Sequence, residues 1–341
     1  TEDAAKRLGL TWRELSERLS DQGAPADTLG ALEHAVLRGP FPAGRGGRAL
    51  IAAGDQVLLD ATLTEPPARV TARWSTLPYL VPLIEHAAPA IAHVIARVDK
   101  VGADVTGIDR RGHVIDQHTV IGAGHPVHKV ETGGSPARGH NSERVEETVK
   151  HNVTQVADDV GTLARKLGAD LLVVAGEVSG RTAVLKALPE RLRGIAVDVE
   201  AGGRQSGSGT EALEAQVRKL VGDQERRRTD TVIDRFRAEA GHGEDGRTAQ
   251  GVDRTCAALR EANVEALLIG STGDETVFTG PDPIEIASDA EHLLALGIGS
   301  LEQRRADEVL PFAAVAVGAD LFHVSEDLAL SQGFGALLRH H

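Results

Sequence analysis

Apolar residues recur at the helical period over one long stretch of this chain. Val145, Val149, Val153, Val156, Val160, Leu163 and Leu167 step by fours and threes, giving a stripe along a single helix face. Asn141 or Ser142 can cap the start, and Glu143, Glu146 and Glu147 suit the positive end of a helix. Gly168 sits where a left-handed C-terminal cap is wanted. At 1.5 Å per residue the predicted rod is about 39 Å long. Directly before it lies the polar, glycine-rich stretch HPVHKVETGGSPARGHN (125–141), and directly after it the run ADLLVVAGE (169–177), which reads as a buried strand. A stiff rod behind a polar loop can present that loop to another surface; an ordinary long surface loop is the alternative.

The same periodicities order the rest of the chain. Leu8, Trp12, Leu15 and Leu19 form one helical stripe, and Leu29, Leu32, Val36 and Leu37 form a second across the turn DQGAPAD (21–27). Residues 48–63 read as a hairpin around Gly54-Asp55, and the Pro-punctuated LPYLVPLIEH (77–86) as a linker docked on a core. Strands are predicted at 90–99, once or twice within 103–122, and at 194–202, with a helix at 179–192. A long helix is predicted from Thr210 to about Ala240. The stretch 248–270 reads as helix, short break, buried strand, and 311–324 partly echoes it.

The predicted fold class is a multidomain α/β chain. It has a small N-terminal α+β region (1–88), a middle mixed-sheet α/β domain with the long helix (89–205), and a C-terminal α/β/α domain with its connecting helix (206–341).

Composition narrows the function classes. The 341 residues are 41% hydrophobic and 26% charged, which are globular values. No apolar run is long enough for a membrane span and no signal peptide is visible. The sequence starts at Thr1 and contains no Met, so preceding residues are expected. Its single cysteine, Cys256, excludes an internal disulfide framework and a multi-cysteine zinc site, and a reducing, cytoplasmic setting is expected. A net charge of −13 is not the signature of a general nucleic-acid binder, so RNA contact would have to be local. With 3% aromatic residues, a base-stacking platform is not expected either.

Candidate chemistry concentrates in the 125–141 loop and the start of the helix. Lys129, Arg138 and Arg144 offer cationic donors; Gly133, Gly134 and Gly139 permit close backbone approach; His125, His128, His140 and Asn141 can hydrogen-bond. Together with Ser135 these form a candidate RNA-touching set. The spacings of His125, His128, His140 and His151 fit no standard metal site, so no metal is expected. Ser135 lies in GGSPARG, which is not a nucleophile elbow, and no phosphate-loop motif is present, so no cofactor is expected. Cys256 falls in a helical pattern as a small core residue. Arg226, Arg227 and Arg228 could grip phosphate, but 211–240 carries seven basic and seven acidic residues, which favours a solvated face.

Several segments in combination resemble a known family. VPLIEH (81–86), VDKVGADV (98–105), GHPVHK (124–129), AGEVSGRT (175–182), TAQG (248–251), LPFAAVAVGA (310–319) and GFGALLR (333–339) carry the similarity. They look like the middle and C-terminal domains of the archaeal and eukaryotic class-I release factor and Pelota family, over roughly residues 70–341. The nearer similarity is to its bacterial branch, the actinobacterial relatives of the ribosome hibernation factor Balon. The resemblance implies a middle domain that reaches the peptidyl-transferase centre from the ribosomal A site. It also implies a C-terminal domain of the kink-turn-binding ribosomal protein type. Release factors carry Gly-Gly-Gln at the tip of the middle loop; here Gly133-Gly134-Ser135 would stand in its place, so peptide release is not expected. Residues 1–70 show no stop-codon-reading motif.

The resulting expectation is a non-catalytic, monomeric ribosome-binding factor that occupies the A site of idle or stressed ribosomes, with rRNA and elongation factor Tu as partners and no membrane partner. One alternative is a hydrolase or rescue factor acting on stalled peptidyl-tRNA through His125, His128 or Ser135. Another is a stress-related α/β ligand-binding protein.

Overall fold

A computed structural model describes residues 2–39, 47–63, 66–67, 70–86, 91–99, 101–110, 112–121, 138–201, 209–325 and 327–341, with the backbone alone at 2–5, 138–148 and 244. By packing, the chain divides into two compact units, one of residues 1–88 and 229–341, the other of residues 89–228.

The N-terminal stretch forms α1 (Glu2–Asp21), α2 (Ala26–Arg38), an antiparallel hairpin of β1 (Gly47–Ala53) and β2 (Gln56–Leu63), and α3 (Val81–His86). Trp12 and Leu19 of the first predicted stripe are buried; of the second, Leu37 remains exposed. The predicted linker at 77–86 does dock on a core, and its second half forms the short helix α3. Pro82 falls in its first turn, where a missing N–H leaves no helical bond unmade.

The 89–228 unit is built on a mixed sheet. Its strands are β3 (His93–Val98), β4 (Gly102–Ile108), β5 (Val114–Ile121), β6 (Leu171–Gly176) and β7 (Ala196–Val199), in the order β5-β4-β3-β6-β7. β3, β4 and β5 pair antiparallel, whereas β6 lies parallel to both β3 and β7. Between β5 and β6 in sequence comes α4 (Arg138–Leu167); between β6 and β7 come α5 (Val178–Ala187) and α6 (Glu190–Arg193). The single helix expected over 179–192 is broken because Pro189 cannot continue it and serves as N-cap of α6. β6 is apolar on both faces. Leu172 and Val174 meet Val156, Val160 and Leu163 of α4, while Leu171, Val173 and Ala175 join Leu213, Val217 and Val221 of α7 (Thr210–Ala240). Successive side chains of a strand point to opposite faces, so an unbroken apolar run needs helices on both sides.

The 229–341 stretch has β8 (Thr248–Gln250), α8 (Gly251–Arg260), β9 (Val264–Ile269), β10 (Thr276–Thr279), β11 (Ile286–Ala287), α9 (Ala290–Ala295), β12 (Glu302–Arg305), α10 (Ala306–Ala316), β13 (Asp320–His323) and β14 (Phe334–Leu338). One sheet runs β13-β9-β14-β8, and a smaller antiparallel one runs β11-β10-β12. Thr248–Gln250, expected to open a helix, is a strand paired with β14, and α8 starts only at Gly251. Leu267 and Ile269 of β9 face α8 and α10, whereas Ala266 and Leu268 face Val232 and Phe236 of α7, giving three α/β/α layers. Val81, with Leu77, Tyr79 and Ile84, packs into the α8–α10 core. The Arg73 guanidinium stacks 3.6 Å from the Tyr79 ring centre and donates to both carboxylate oxygens of Asp307 at 3.1 Å.

Gly176 ends β6 at φ +112°, where a Cβ would lie 2.1 Å from the Val98 carbonyl oxygen. Gly176→Ala therefore combines an unfavourable backbone conformation with a clash against β3, and stability should fall by about 2–4 kcal/mol. Urea unfolding of the purified variant measures this; a midpoint within error of the parent would refute it.

Candidate functional site

The long helix is the frame of the candidate site, and several contacts hold it. Its C-terminus closes as expected at Gly168, which adopts φ +59°. The Ala169 N–H donates to the Ala164 carbonyl and the Gly168 N–H to the Arg165 carbonyl, satisfying two end carbonyls. Val156, Ala157, Val160, Leu163 and Ala164 are buried against β3 and β4.

The helix start differs from expectation. α4 begins at Arg138, so Asn141 and Ser142 lie inside it and not at its cap. Arg138, Gly139, His140, Asn141 and Arg144 thus occupy its first two turns, although their side chains lie outside the described residues. Asn141 and Ser142 are good capping residues, but the helix already runs through Gly139 despite the stability glycine costs relative to alanine. His125, His128, Lys129, Gly133, Gly134 and Ser135 lie outside the described residues.

A polar clamp ties α4 to the sheet edge. His118 on β5 contacts Asp116 through Nδ1 at 2.8 Å and Asp159 of α4 through Nε2 at 2.6 Å. With both ring nitrogens donating, the imidazolium is favoured, and the hydrogen bonds to Asp159 and then Asp116 raise its pKa. Asp158-Asp159 reads in sequence as surface charge, yet Asp159 has this specific partner. The spacing of Asp116 and His118 puts both on one face of a strand, but the third member is 41 residues from His118 and appears only on folding.

A second polar group closes the ends of the parallel strands. Arg181 of α5 is 3% exposed. It donates through Nη1 to the Gly176 carbonyl at 2.7 Å and through Nε to Asp198 of β7. It belongs to AGEVSGRT, a segment that carried the family resemblance.

Other candidates resolve into structure. His151 is exposed, and among the described residues no group of His, Cys, Asp and Glu side chains could hold a metal ion. Cys256 is fully buried in α8, and burial pushes its thiol up to about 12, so it is a core residue and a poor nucleophile. Arg226 is exposed and pairs with Asp223 one turn back along α7.

The described elements make a multidomain α/β chain with mixed sheets and a long helix, and part of the chain matches a known family. Residues 92–242 match the family described as bacterial archaeo-eukaryotic release factor family 2. The chain is 38% identical to the uncharacterized protein Rv2629 of Mycobacterium tuberculosis (strain ATCC 25618 / H37Rv) over 345 aligned positions, covering 100% of this chain and 90% of that one. The same values hold for MT2704 of strain CDC 1551 / Oshkosh. The chain belongs to one family with these mycobacterial proteins. Among solved structures it is similar to Archaeoglobus fulgidus Pelota, at 17% identity and TM-score 0.36 over 86% of this chain and 79% of that one. It is also similar to ribosome-bound archaeal Pelota with ABCE1, at 16% identity and TM-score 0.42 over 87% and 77%.

The clamp sets a pH dependence. A histidine whose folded pKa is raised contributes stability fully below its unfolded value, about 6.5, and loses it as pH rises through the folded value. Thermal melts of the parent and His118→Gln should differ more at pH 6 than at pH 8.5. An equal difference at both, or a larger one in alkali, would contradict the assignment.

Proposed function

We propose that this chain is a ribosome-binding factor that occupies the A site of idle or stressed ribosomes without catalysing peptide release. The observation that carries the reading is the middle unit matched to release factor family 2. Its helix α4, packed on the sheet by one face, follows a segment with Gly133-Gly134-Ser135 where release factors carry Gly-Gly-Gln. Serine has a shorter side chain than glutamine and no amide, so the group that release factors direct at the peptidyl ester is replaced by one of different reach and chemistry. What the scaffold retains is presentation: the 125–141 stretch is directed toward the catalytic centre, where Lys129, Arg138 and Arg144 meet rRNA phosphates. Such contacts are local, which reconciles RNA binding with a net charge of −13. Elongation factor Tu is the proposed partner, as the resemblance to the bacterial branch implies. The chain acts in the cytoplasm as a monomer.

Sedimentation with purified 70S ribosomes through sucrose tests this directly. Binding should weaken with salt. Changing Lys129, Arg138 and Arg144 together to alanine should reduce the salt slope of log K by about 2–3 and lower affinity at every salt concentration. Unchanged binding would remove this segment from the interface, and no pelleting with or without elongation factor Tu would sink the reading. Stalled ribosome complexes carrying labelled peptidyl-tRNA should release no peptide on addition of the protein. Release that disappears in His128→Ala would instead establish a hydrolase.

A further inference from the structure

Within the 89–228 unit, a cleft of about 60 Å³ opens between α4 and α5 beside the β3–β4 turn. Val149, Val153, Val156, Ala183 and Val184 give it apolar walls. Asn152 also lines it, is 6% exposed, and its Oδ1 has no hydrogen-bond partner. Leaving a buried carbonyl oxygen unbonded costs roughly 1–3 kcal/mol, so an orphan of this kind marks a place where a donor belongs.

Donors face the same cleft from the other side. Ser179 and Gly180 line it as the second and third residues of α5. The first helical bond of α5 is that of Arg181 N–H to the Glu177 carbonyl, and the Glu177 carboxylate accepts from the Ser179 hydroxyl at 3.2 Å rather than from a backbone N–H. The N–H groups of Ser179 and Gly180 therefore have no acceptor within the helix.

The two sides together select the ligand. The amide oxygen of Asn152 calls for a donor, and the α5 N-terminus calls for an acceptor. Asp99 at the rim turns Oδ1 to the N–H groups of Val101 and Gly102, at 2.7 and 2.9 Å, and its charge disfavours an anion. The positive end of α5 disfavours a cation. A neutral group with a donor and an acceptor on adjacent atoms, carried on a short aliphatic body, satisfies every wall. We propose that this cleft binds a primary carboxamide, either a small aliphatic amide or the end of an asparagine or glutamine side chain. The volume suits one such group of about six heavy atoms.

Amide TROSY spectra of the full chain test the proposal, with isobutyramide titrated through about 100 mM because so small a ligand binds in the millimolar range. Saturable shifts should appear at the Asn152 side-chain amide and at Ser179 and Gly180. N-acetylglutamine N-methylamide is the second probe: tighter binding than isobutyramide assigns the site to a side chain, weaker binding to a free amide. Asn152→Leu should abolish the shifts. Ala183→Leu, which fills the cleft from a half-buried position, should abolish them too and guards against a folding defect in the first variant. Equal shifts with isobutyrate or isobutylammonium would overturn the proposal. So would no saturable shift with either amide, the cleft then holding water alone.

Discussion

The strand β6 sets the terms for the middle unit. Leu171, Leu172, Val173, Val174 and Ala175 are all buried, and they alternate between the two faces of the sheet. Such a strand cannot be left open on either side without exposing a row of branched apolar residues to water, at roughly 25 cal/mol for each Å² uncovered. One face is met by α4 and α5, the other by the first part of α7. The position of α4 is therefore not a local choice of its own sequence. It is fixed by what β6 requires, and the segment before α4 is anchored at one end as a consequence.

The polar contacts then refine what burial has placed. Packing by valine and leucine alone tolerates small shifts, because apolar contact is not directional. The Asp116–His118–Asp159 group is directional: it fixes α4 against the edge strand β5 through two hydrogen bonds on one ring. Arg181 does the same where β6 and β7 end, joining a strand carbonyl to a neighbouring carboxylate. The near-complete burial of Arg181 makes the pair sensitive to loss of Asp198, which would leave a buried guanidinium without its nearest counter-charge, whereas Asp198 itself is partly exposed. Several other arginines are engaged in ion pairs: Arg73 and Arg305 with the buried Asp307, and at the surface Arg235 with Glu265 and Arg247 with Glu239. Basic residues engaged in this way have less to offer a nucleic acid, which turns attention to the segment holding Lys129 and Arg138.

Much of this fold could be read from the chain because its signals are periodic. The Val145–Leu167 stripe, the apolar run 169–177 and the hairpin around Gly54 each follow a spacing that only one element satisfies. The differences have separate causes. Thr248–Gln250 has no pattern of its own and becomes a strand because β14 lies beside it. The stripe at 179–192 runs across Pro189, where the missing N–H outweighs two well-placed leucines. Asn141 is a good cap residue, yet the helix already includes Arg138. At the candidate site, the clamp and the orphan oxygen of Asn152 were not legible. Asp159 and Asn152 are ordinary polar residues in a helix until folding brings β5 and α5 beside them.

That division bears on how the family could change its chemistry. Among the described residues, what fixes the scaffold lies in β6, α4, the Gly168 cap and the Arg181 pair. Ser135, at the third position of the Gly-Gly-Gln-like tripeptide, lies outside those residues. Function grafted on a scaffold in this way can be lost or replaced while the fold persists. The proposed role of the chain accordingly rests on the tripeptide Gly133-Gly134-Ser135 and not on the packing of the scaffold.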